Sequence, residues 1–387
     1  MNKITFMSDE ILPSLAMVSS VVNPKNSLPI FNDVRIETKD DGNGGTILVF
    51  MASDSETWLQ MKATCEESDK DVAICIEAKS FLQALRNLGG KLVEMTIDDD
   101  KHTVLCSYGN GRFSLPFDNA NEFPLPIATI DDAKEKRIDA QKLLTAIEKA
   151  GFATANDELL PVMNGVHFDF YPYGMVTCAT DGHKLAKYTD LTITFDGDAN
   201  PVVDGYTLPK KPCHTLISVL ANTVAGDVKI SFNDRLVAVN NTMFKMTTRL
   251  IEGRYPNYDA VIPKENDRVV VIPKNDFVSA LKRVLPMGNA SSELVVLSFT
   301  MGMMTIFAED FDFSKSASEN VGCDYAQEEF TIGFKGSTLL QLLQNIDTDN
   351  VKVMLKDPSR AGVLCEDKPN GVYEYTSLIM PMLIQND

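Results

Sequence analysis

The sequence predicts an α+β fold built from three tandem copies of one domain, each running helix, strands, helix, strands, so that the chain holds six half-units of similar build. Three observations predict it. Leu28-Pro29-Ile30-Phe31-Asn32-Asp33-Val34-Arg35-Ile36-Glu37 lines up with Leu160-Pro161-Val162-Met163-Asn164-Gly165-Val166-His167-Phe168-Asp169, and more weakly with Leu294-Val295-Val296-Leu297. Downstream, each copy repeats an Ala-x-Asp: Ala52-Ser53-Asp54, Ala179-Thr180-Asp181 and Ala308-Glu309-Asp310. The later part of each copy repeats as well, with Val93 to Asp99 matching Val228 to Asp234 and Val351 to Asp357. The spacing is that of a whole domain, too long for a solenoid repeat of roughly 20 to 50 residues. A chain of 387 residues with 44% apolar content accommodates three such domains, each with its own core.

The elements follow from periodicity. Asp139 to Gly151 places Leu143, Leu144 and Ile147 at helical spacing, and Val166-His167-Phe168-Asp169-Phe170 alternates as a strand does. A second helix in each copy falls at Ser80 to Leu88, His214 to Leu220 and Ser337 to Leu343, with Ser80 and Ser337 expected as N-caps. Turn residues stand between strands at Asp41-Gly42-Asn43-Gly44-Gly45 and Tyr108-Gly109-Asn110-Gly111. Linkers are expected near Phe123 to Glu135 and near Ile262 to Val270, giving domains 1–125, 126–262 and 263–387.

Composition narrows the function. No stretch approaches the ~18 to 20 apolar residues of a membrane helix, and Met1 to Leu15 mixes in Lys3, Asp9 and Glu10, so a cytoplasmic protein is expected. Seven scattered cysteines without a C-x-x-C predict free thiols rather than a disulfide framework or zinc ribbon. With 36 Lys+Arg against 54 Asp+Glu, a net charge of -18 excludes a protein that coats nucleic acid with its whole surface; any such contact is local.

Catalytic signatures do not appear. There is no phosphate-binding G-x-x-x-x-G-K-[ST], no H-E-x-x-H, no G-x-S-x-G and no dinucleotide fingerprint, and His102, His167, His183 and His214 match no metal-site spacing. Asp54, Asp181 and Asp310 are the best enzymatic candidates, as carboxylates for a metal-dependent nuclease. Each sits at the same place in its own copy, however, so repeat symmetry holds them a domain apart and favours carboxylates that accept backbone amides in strand-end turns. Asp98-Asp99-Asp100 reads as a solvated turn. No catalytic residue, metal or cofactor is assigned.

Along its full length the sequence resembles the bacterial DNA polymerase III beta subunits, the sliding clamps that tether replication proteins to DNA. The resemblance is carried by Thr180-Asp181-Gly182-His183-Lys184-Leu185, by Glu252-Gly253-Arg254-Tyr255-Pro256-Asn257-Tyr258 followed by Val261-Ile262-Pro263, by Leu28-Pro29-Ile30 and by Met380-Pro381-Met382. It implies three DNA-clamp domains per chain and a head-to-tail homodimeric ring, helices lining the hole and sheets outside. Double-stranded DNA would pass through the hole without sequence-specific contact. Replicative polymerase subunits, the clamp loader, other polymerases and repair proteins would dock through short linear motifs.

Charge on the segments read as helical agrees with this. Lys79 and Arg86, Lys142 and Lys149, Lys210 and Lys211, Lys282 and Arg283, with Lys274 and Lys335 at helix starts, are candidates for sequence-blind phosphate contacts. By resemblance Lys25 joins them. The motif pocket is implied to comprise Met163, Thr180, Gly182, His183, Lys184 and Leu185 with Pro256, Val261, Leu378, Met380, Pro381 and Met382; methionines suit a groove that adapts to several ligands. The ring contact is implied to pair Phe113 and Leu115 with Pro286 and Met287 of the other chain. Three departures stand out: Lys184 and Ala260 stand where clamps often carry arginine, and Leu383-Ile384-Gln385-Asn386-Asp387 lacks the usual basic ending. A peptide-binding repeat protein that never meets DNA is the remaining alternative.

Overall fold

The computed structural model describes residues 2–26, 28–42, 44–69, 71–195, 204–222 and 226–384; Asn43 and Gln385 to Asp387, invoked above, lie outside them. The first third of the chain runs β1 (Asn2–Met7), α1 (Ser8–Ser19), β2 (Asp33–Asp40), β3 (Thr46–Ser53), β4 (Thr57–Thr64), β5 (Glu67–Ser68), β6 (Ala73–Glu77), α2 (Ala78–Arg86), β7 (Leu92–Asp98), β8 (Thr103–Tyr108), β9 (Gly111–Pro116) and β10 (Asp118–Asn119). The middle third runs β11 (Lys134–Asp139), α3 (Ala140–Gly151), β12 (Gly165–Tyr171), β13 (Gly174–Thr180), β14 (Lys184–Asp190), β15 (Asp204–Pro209), α4 (Lys210–Ala221), β16 (Asp227–Phe232), β17 (Leu236–Asn240) and β18 (Phe244–Arg249). The last third runs α5 (Tyr258–Val261), β19 (Arg268–Pro273), α6 (Lys274–Val284), β20 (Leu294–Thr300), β21 (Met303–Asp310), β22 (Lys315–Gly322), β23 (Phe330–Lys335), α7 (Gly336–Gln344), β24 (Asn350–Leu355), β25 (Gly362–Glu366) and β26 (Tyr373–Ile379).

The repeated order is the expected one with an addition: a strand leads directly into each of the six repeat helices, as β1 into α1 or β23 into α7. This corrects the expected caps. Ser80 is the third residue of α2, and its hydroxyl bonds the carboxylate of Glu77, the residue before the helix. Ser337 is the second residue of α7 and donates to Glu293 at 2.6 Å. Because no loop separates strand from helix, the position a capping serine would fill is the last residue of the strand. Helix α4 likewise starts at Lys210 rather than His214, with Pro212 in the first turn, where its missing N–H leaves no hydrogen bond unmade.

The chain divides into two compact units, Met1–Leu144 with Lys211–Leu250, and Thr145–Lys210 with Ile251–Asp387. In the first, β5-β1-β7-β8-β9 form one antiparallel sheet and β10-β6-β2-β3-β4-β18-β17-β16-β11 another. In the second, the sheets are β15-β12-β13-β14-β26-β25-β24-β19 and β22-β21-β20-β23. Each large sheet is therefore a composite: β4 of the first repeat pairs with β18 of the second, and β14 of the second with β26 of the third.

Burial explains the strand sequences. Covered on both faces, β13 is buried at every residue, whereas β16 alternates exposed and buried and packs one face only. Helix α6 buries Phe277, Ala280, Leu281 and Val284, the one-sided stripe of a helix lying on a sheet. Large side chains such as Phe6, Phe50 and Phe81 fill the first unit, and Phe168, Phe277 and Phe334 the second. All seven cysteines are free, and Cys75, Cys106, Cys178 and Cys213 are buried.

Candidate functional site

The implied pocket residues all fall in the second unit. Those from 180–185 and 378–382 gather where β14 meets β26. The turn between β13 and β14 is fixed by its own side chains: Asp181 Oδ1 accepts the amides of His183 (2.9 Å) and Lys184 (2.8 Å), and Thr180 Oγ1 donates to the Lys184 carbonyl at 2.7 Å. Gly182 turns the chain at φ +84°, the left-handed region. Lys184 Nζ reaches Asp181 Oδ2 at 2.5 Å, and its side chain is largely buried. Burial alone would raise the Asp181 carboxyl, but the Lys184 ammonium and the two amides outweigh it and hold the group below its ordinary value. Lys184 is thus committed to its own turn rather than free at the pocket rim.

From this turn the register sets Leu185 opposite Leu378, and the Met380 amide donates to the His183 carbonyl at 2.8 Å. The Met382 amide then bonds the Gly333 carbonyl, so Met380-Pro381-Met382 bridges β14 and β23. Beneath lies a cluster of Val176, Cys178, Leu185, Tyr255, Tyr258 and Leu378. The two tyrosines anchor the run around Pro256. Tyr258 donates to Asp169 at 2.5 Å, and Tyr255 stacks flat on His167 with ring centres 4.5 Å apart. Burial and that carboxylate push the Tyr258 hydroxyl well above its usual range. Val261 (56% exposed), at the end of α5, and Met380 (41%), just after β26, stand open to solvent. Met163 belongs to the loop beside Gly253, where a β-carbon would sit 3.1 Å from Val162. Tyr255, Tyr258, His167 and Asp169 were not assigned to the site from sequence; the pair of tyrosines flanking Pro256 was the available signal.

The basic residues fall into two groups. Lys25, Lys79, Arg86, Lys142, Lys210 and Lys282 make no ion pair with any described residue. Others are engaged: Lys211 with Asp54 at 2.5 Å, Arg283 with Glu319 through both ends of its guanidinium, Lys335 with Glu293, and Lys274 with the Ile346 carbonyl. Lys149, expected as a phosphate ligand, is engaged as well. Its ammonium donates to the Asn345 carbonyl and to Asp347, both at 2.6 Å, and its side chain is only 12% exposed, so it ties α3 to the end of α7.

Phe113 and Leu115 are half-buried on β9, the outer strand of the five-stranded sheet. Pro286 and Met287 lie exposed on the turn after α6. Strand β22, the free edge of the four-stranded sheet, was missed from sequence. Repeat equivalence could have found it, since β22 corresponds to β4 and β14, which both pair with another repeat.

The Ala-x-Asp carboxylates are turn residues. Asp54 accepts the amides of Glu56 and Thr57, and Asp310 that of Asp312, as Asp181 does in its own turn. The second oxygens of Asp54 and Asp181 are taken by lysines. No helix among the described residues is long and apolar enough to cross a membrane.

A triplicated α+β repeat whose sheets are shared between repeats, with unpaired edges at the first and last repeat, is the build of a DNA clamp. Comparison with known proteins agrees. The N-terminal, central and C-terminal domain profiles of the DNA polymerase III beta subunit match residues 2–127, 137–257 and 259–383. The beta sliding clamp of Haemophilus influenzae is 27% identical over 375 residues, covering 97% of this chain and 98% of that one. That of Pseudomonas putida is 25% identical over 382 residues, covering 98% and 99%. The crystal structure of a Pseudomonas aeruginosa sliding clamp bound to griselimycin superposes with a TM-score of 0.89 at 23% identity, covering 99% of this chain and all of that one. The chain belongs to the DNA polymerase III beta subunit family. It is a sliding clamp, a processivity factor of DNA replication without a catalytic site of its own.

Proposed function

We propose that two copies of this chain close head to tail around double-stranded DNA and slide along it, holding by linkage rather than by affinity. One observation carries the reading. In the chain, the third strand after a repeat's first helix joins the last strand of the next repeat's second half twice, as β4 to β18 and β14 to β26. The remaining equivalents, β22 and β9, are both left as edges. A second copy satisfies them, pairing β22 of each chain with β9 of the other and removing every such edge. Three repeats per chain, divided at 1–125, 126–262 and 263–387, then give six per ring.

The unpaired cations Lys25, Arg86, Lys142, Lys210 and Lys282 supply sequence-blind phosphate contacts, joined by those that can exchange a carboxylate partner for phosphate, Arg283 and Lys335 foremost. The net charge of -18 repels duplex elsewhere on the surface. The floor formed by Leu185 and Leu378, with Met380, Met382, Val261 and Pro256 around it, takes the short apolar motifs of polymerase subunits, the loader and repair proteins in the cytoplasm. Retention on nicked circular DNA, with release on linearisation, tests encirclement; equal retention on both forms refutes it. Deleting Met380 to Asp387 is expected to weaken binding of a polymerase-derived motif peptide while leaving the dimer intact.

A further inference from the structure

Three turns hold the same place in the three repeats. In Asp54-Ser55-Glu56-Thr57 and Asp181-Gly182-His183-Lys184 the strand resumes at the third residue after the aspartate. Between β21 and β22 the turn is longer, Phe311-Asp312-Phe313-Ser314, and it carries two phenylalanines that are 74% and 71% exposed. An exposed aromatic pair on a hairpin tip is an unfavourable surface for a soluble chain unless something covers it. The two shorter turns show what covers theirs. The Glu56 carbonyl accepts the Arg249 amide at 3.1 Å, from the last residue of the joined β18, and the His183 carbonyl the Met380 amide at 2.8 Å, from just beyond the joined β26. Asp54 also takes Lys211, the second residue of α4. Among the described residues no strand joins β22 at the third turn.

We propose that Phe311 and Phe313 form an apolar latch that seats on the first turn of helix α2 in a second copy of the chain, with the exposed Asp312 facing Lys79 there. The proposal rests on the ring reading. Lys79 is the second residue of α2, the place Lys211 holds in α4, and it is exposed with no ion pair to a described residue. Topology puts that turn in reach. All strand pairs in the chain are antiparallel, so β22 laid on β9 sets its Lys315 end at the Pro116 end of β9. Directly beyond Pro116, Asp118 and Asn119 pair with Cys75 and Ile74, and β6 runs from there into α2. An open cavity of about 540 Å³ lies at this turn, lined by the apolar Val22, Pro24, Ala78 and Leu82 and by the charged Glu77 and Lys79.

The test is the dimer dissociation constant of the full chain, measured by mass photometry over a dilution series. Phe311→Ser/Phe313→Ser is expected to raise it at least about tenfold, the weight of one large apolar side chain removed from water. Thermal unfolding of the monomer, followed at concentrations below the dissociation constant, should not move, because both residues are exposed within the chain. A change below roughly twofold overturns the latch while leaving the ring. A parent chain that is monomeric at every concentration overturns the ring itself. Independently, the pair Phe313→Cys and Lys79→Cys should give a covalent dimer with a short bis-maleimide that neither single variant gives; its absence in a dimeric sample also overturns the latch.

Discussion

The strand joins in the two units are built alike and finished differently. In the first unit, Trp58 takes the place that Leu185 holds in the second, and its indole N–H donates to the Pro124 carbonyl at 2.9 Å, while Phe31 and Phe123 pack edge to face beside it. Opposite Trp58 stands Thr247, whereas Leu378 faces Leu185. At the paired strands the first join is thus filled by an indole and a hydrogen bond, whereas the second pairs two leucines, over a cluster that also holds Tyr255 and Tyr258, and leaves Met380 exposed beside them. The charges differ too: Asp54 reaches across to helix α4, whereas Asp181 is closed by Lys184 from its own turn. One scaffold therefore yields a sealed join and an open one by exchanging a few side chains.

The largest expected effect breaks the open join alone. Leu185→Ala removes a fully buried side chain and should cost about 2 to 5 kcal/mol. Trp58 is the only tryptophan and lies in the first unit, so its fluorescence reports that unit while circular dichroism reports both. In urea, Leu185→Ala should lower the midpoint of the second unit and leave the Trp58 transition in place. If both shift equally, the two composite sheets unfold as one body and the contrast between the joins has no thermodynamic counterpart.

A second contrast concerns pH. Gly165, where a β-carbon would lie 2.3 Å from the Leu208 carbonyl oxygen, is the repeat equivalent of Asp33. Asp33 is accommodated but buried, and burial, then the neighbouring carboxyls of Asp118 and Glu77, raise it from 3.8 to about 7. The folded chain holds this proton more tightly than the unfolded one. Its stabilising contribution is full below pH 3.8 and is lost as pH rises through about 7. Asp181 has the opposite sign: its depressed value favours the folded state at neutral pH, and that contribution is lost only as pH falls below 3.8. Between pH 5 and pH 8, Asp33→Asn should flatten the decline in stability of the first unit by on the order of 1 to 3 kcal/mol. Asp181→Asn should not alter the slope in that window. An unchanged slope in Asp33→Asn would assign the pH response to other groups.

Much of this contrast was legible in the sequence, and the reason is periodicity. The Leu-Pro and Ala-x-Asp repeats mark equivalent turns, and the alternation in Val166–Phe170 marks a half-buried strand, because both signals are local. Which strand β4 or β14 would pair with was not legible, since composite sheets depend on edges meeting from repeats far apart in sequence. The role of Lys149 was hidden for the same reason: its partners Asn345 and Asp347 are nearly two hundred residues away. Ser80 and Ser337 misled because a capping residue signals a helix start only where a loop precedes it, and here a strand does.

The smallest expected effect compares the two turns directly. Ser55 and Gly182 hold the same position with nearly the same backbone, at φ +79° and +84°. A β-carbon is disfavoured in this left-handed region by roughly 1 to 2 kcal/mol. Glycine there relieves that cost, though it gives up some unfolded-state entropy. Ser55→Gly should therefore stabilise the first unit by up to about 1 kcal/mol, and Gly182→Ala should destabilise the second by about as much, with open space around Gly182 leaving the backbone as the only cause. The Ser55 amide donates to the Ser53 hydroxyl oxygen at 3.0 Å, a bond that survives in the glycine variant. Matched urea titrations of the two variants decide the matter: shifts of opposite sign show that the turns are equivalent in energy as well as in shape. A loss in Ser55→Gly would show that its side chain contributes more than its conformation costs.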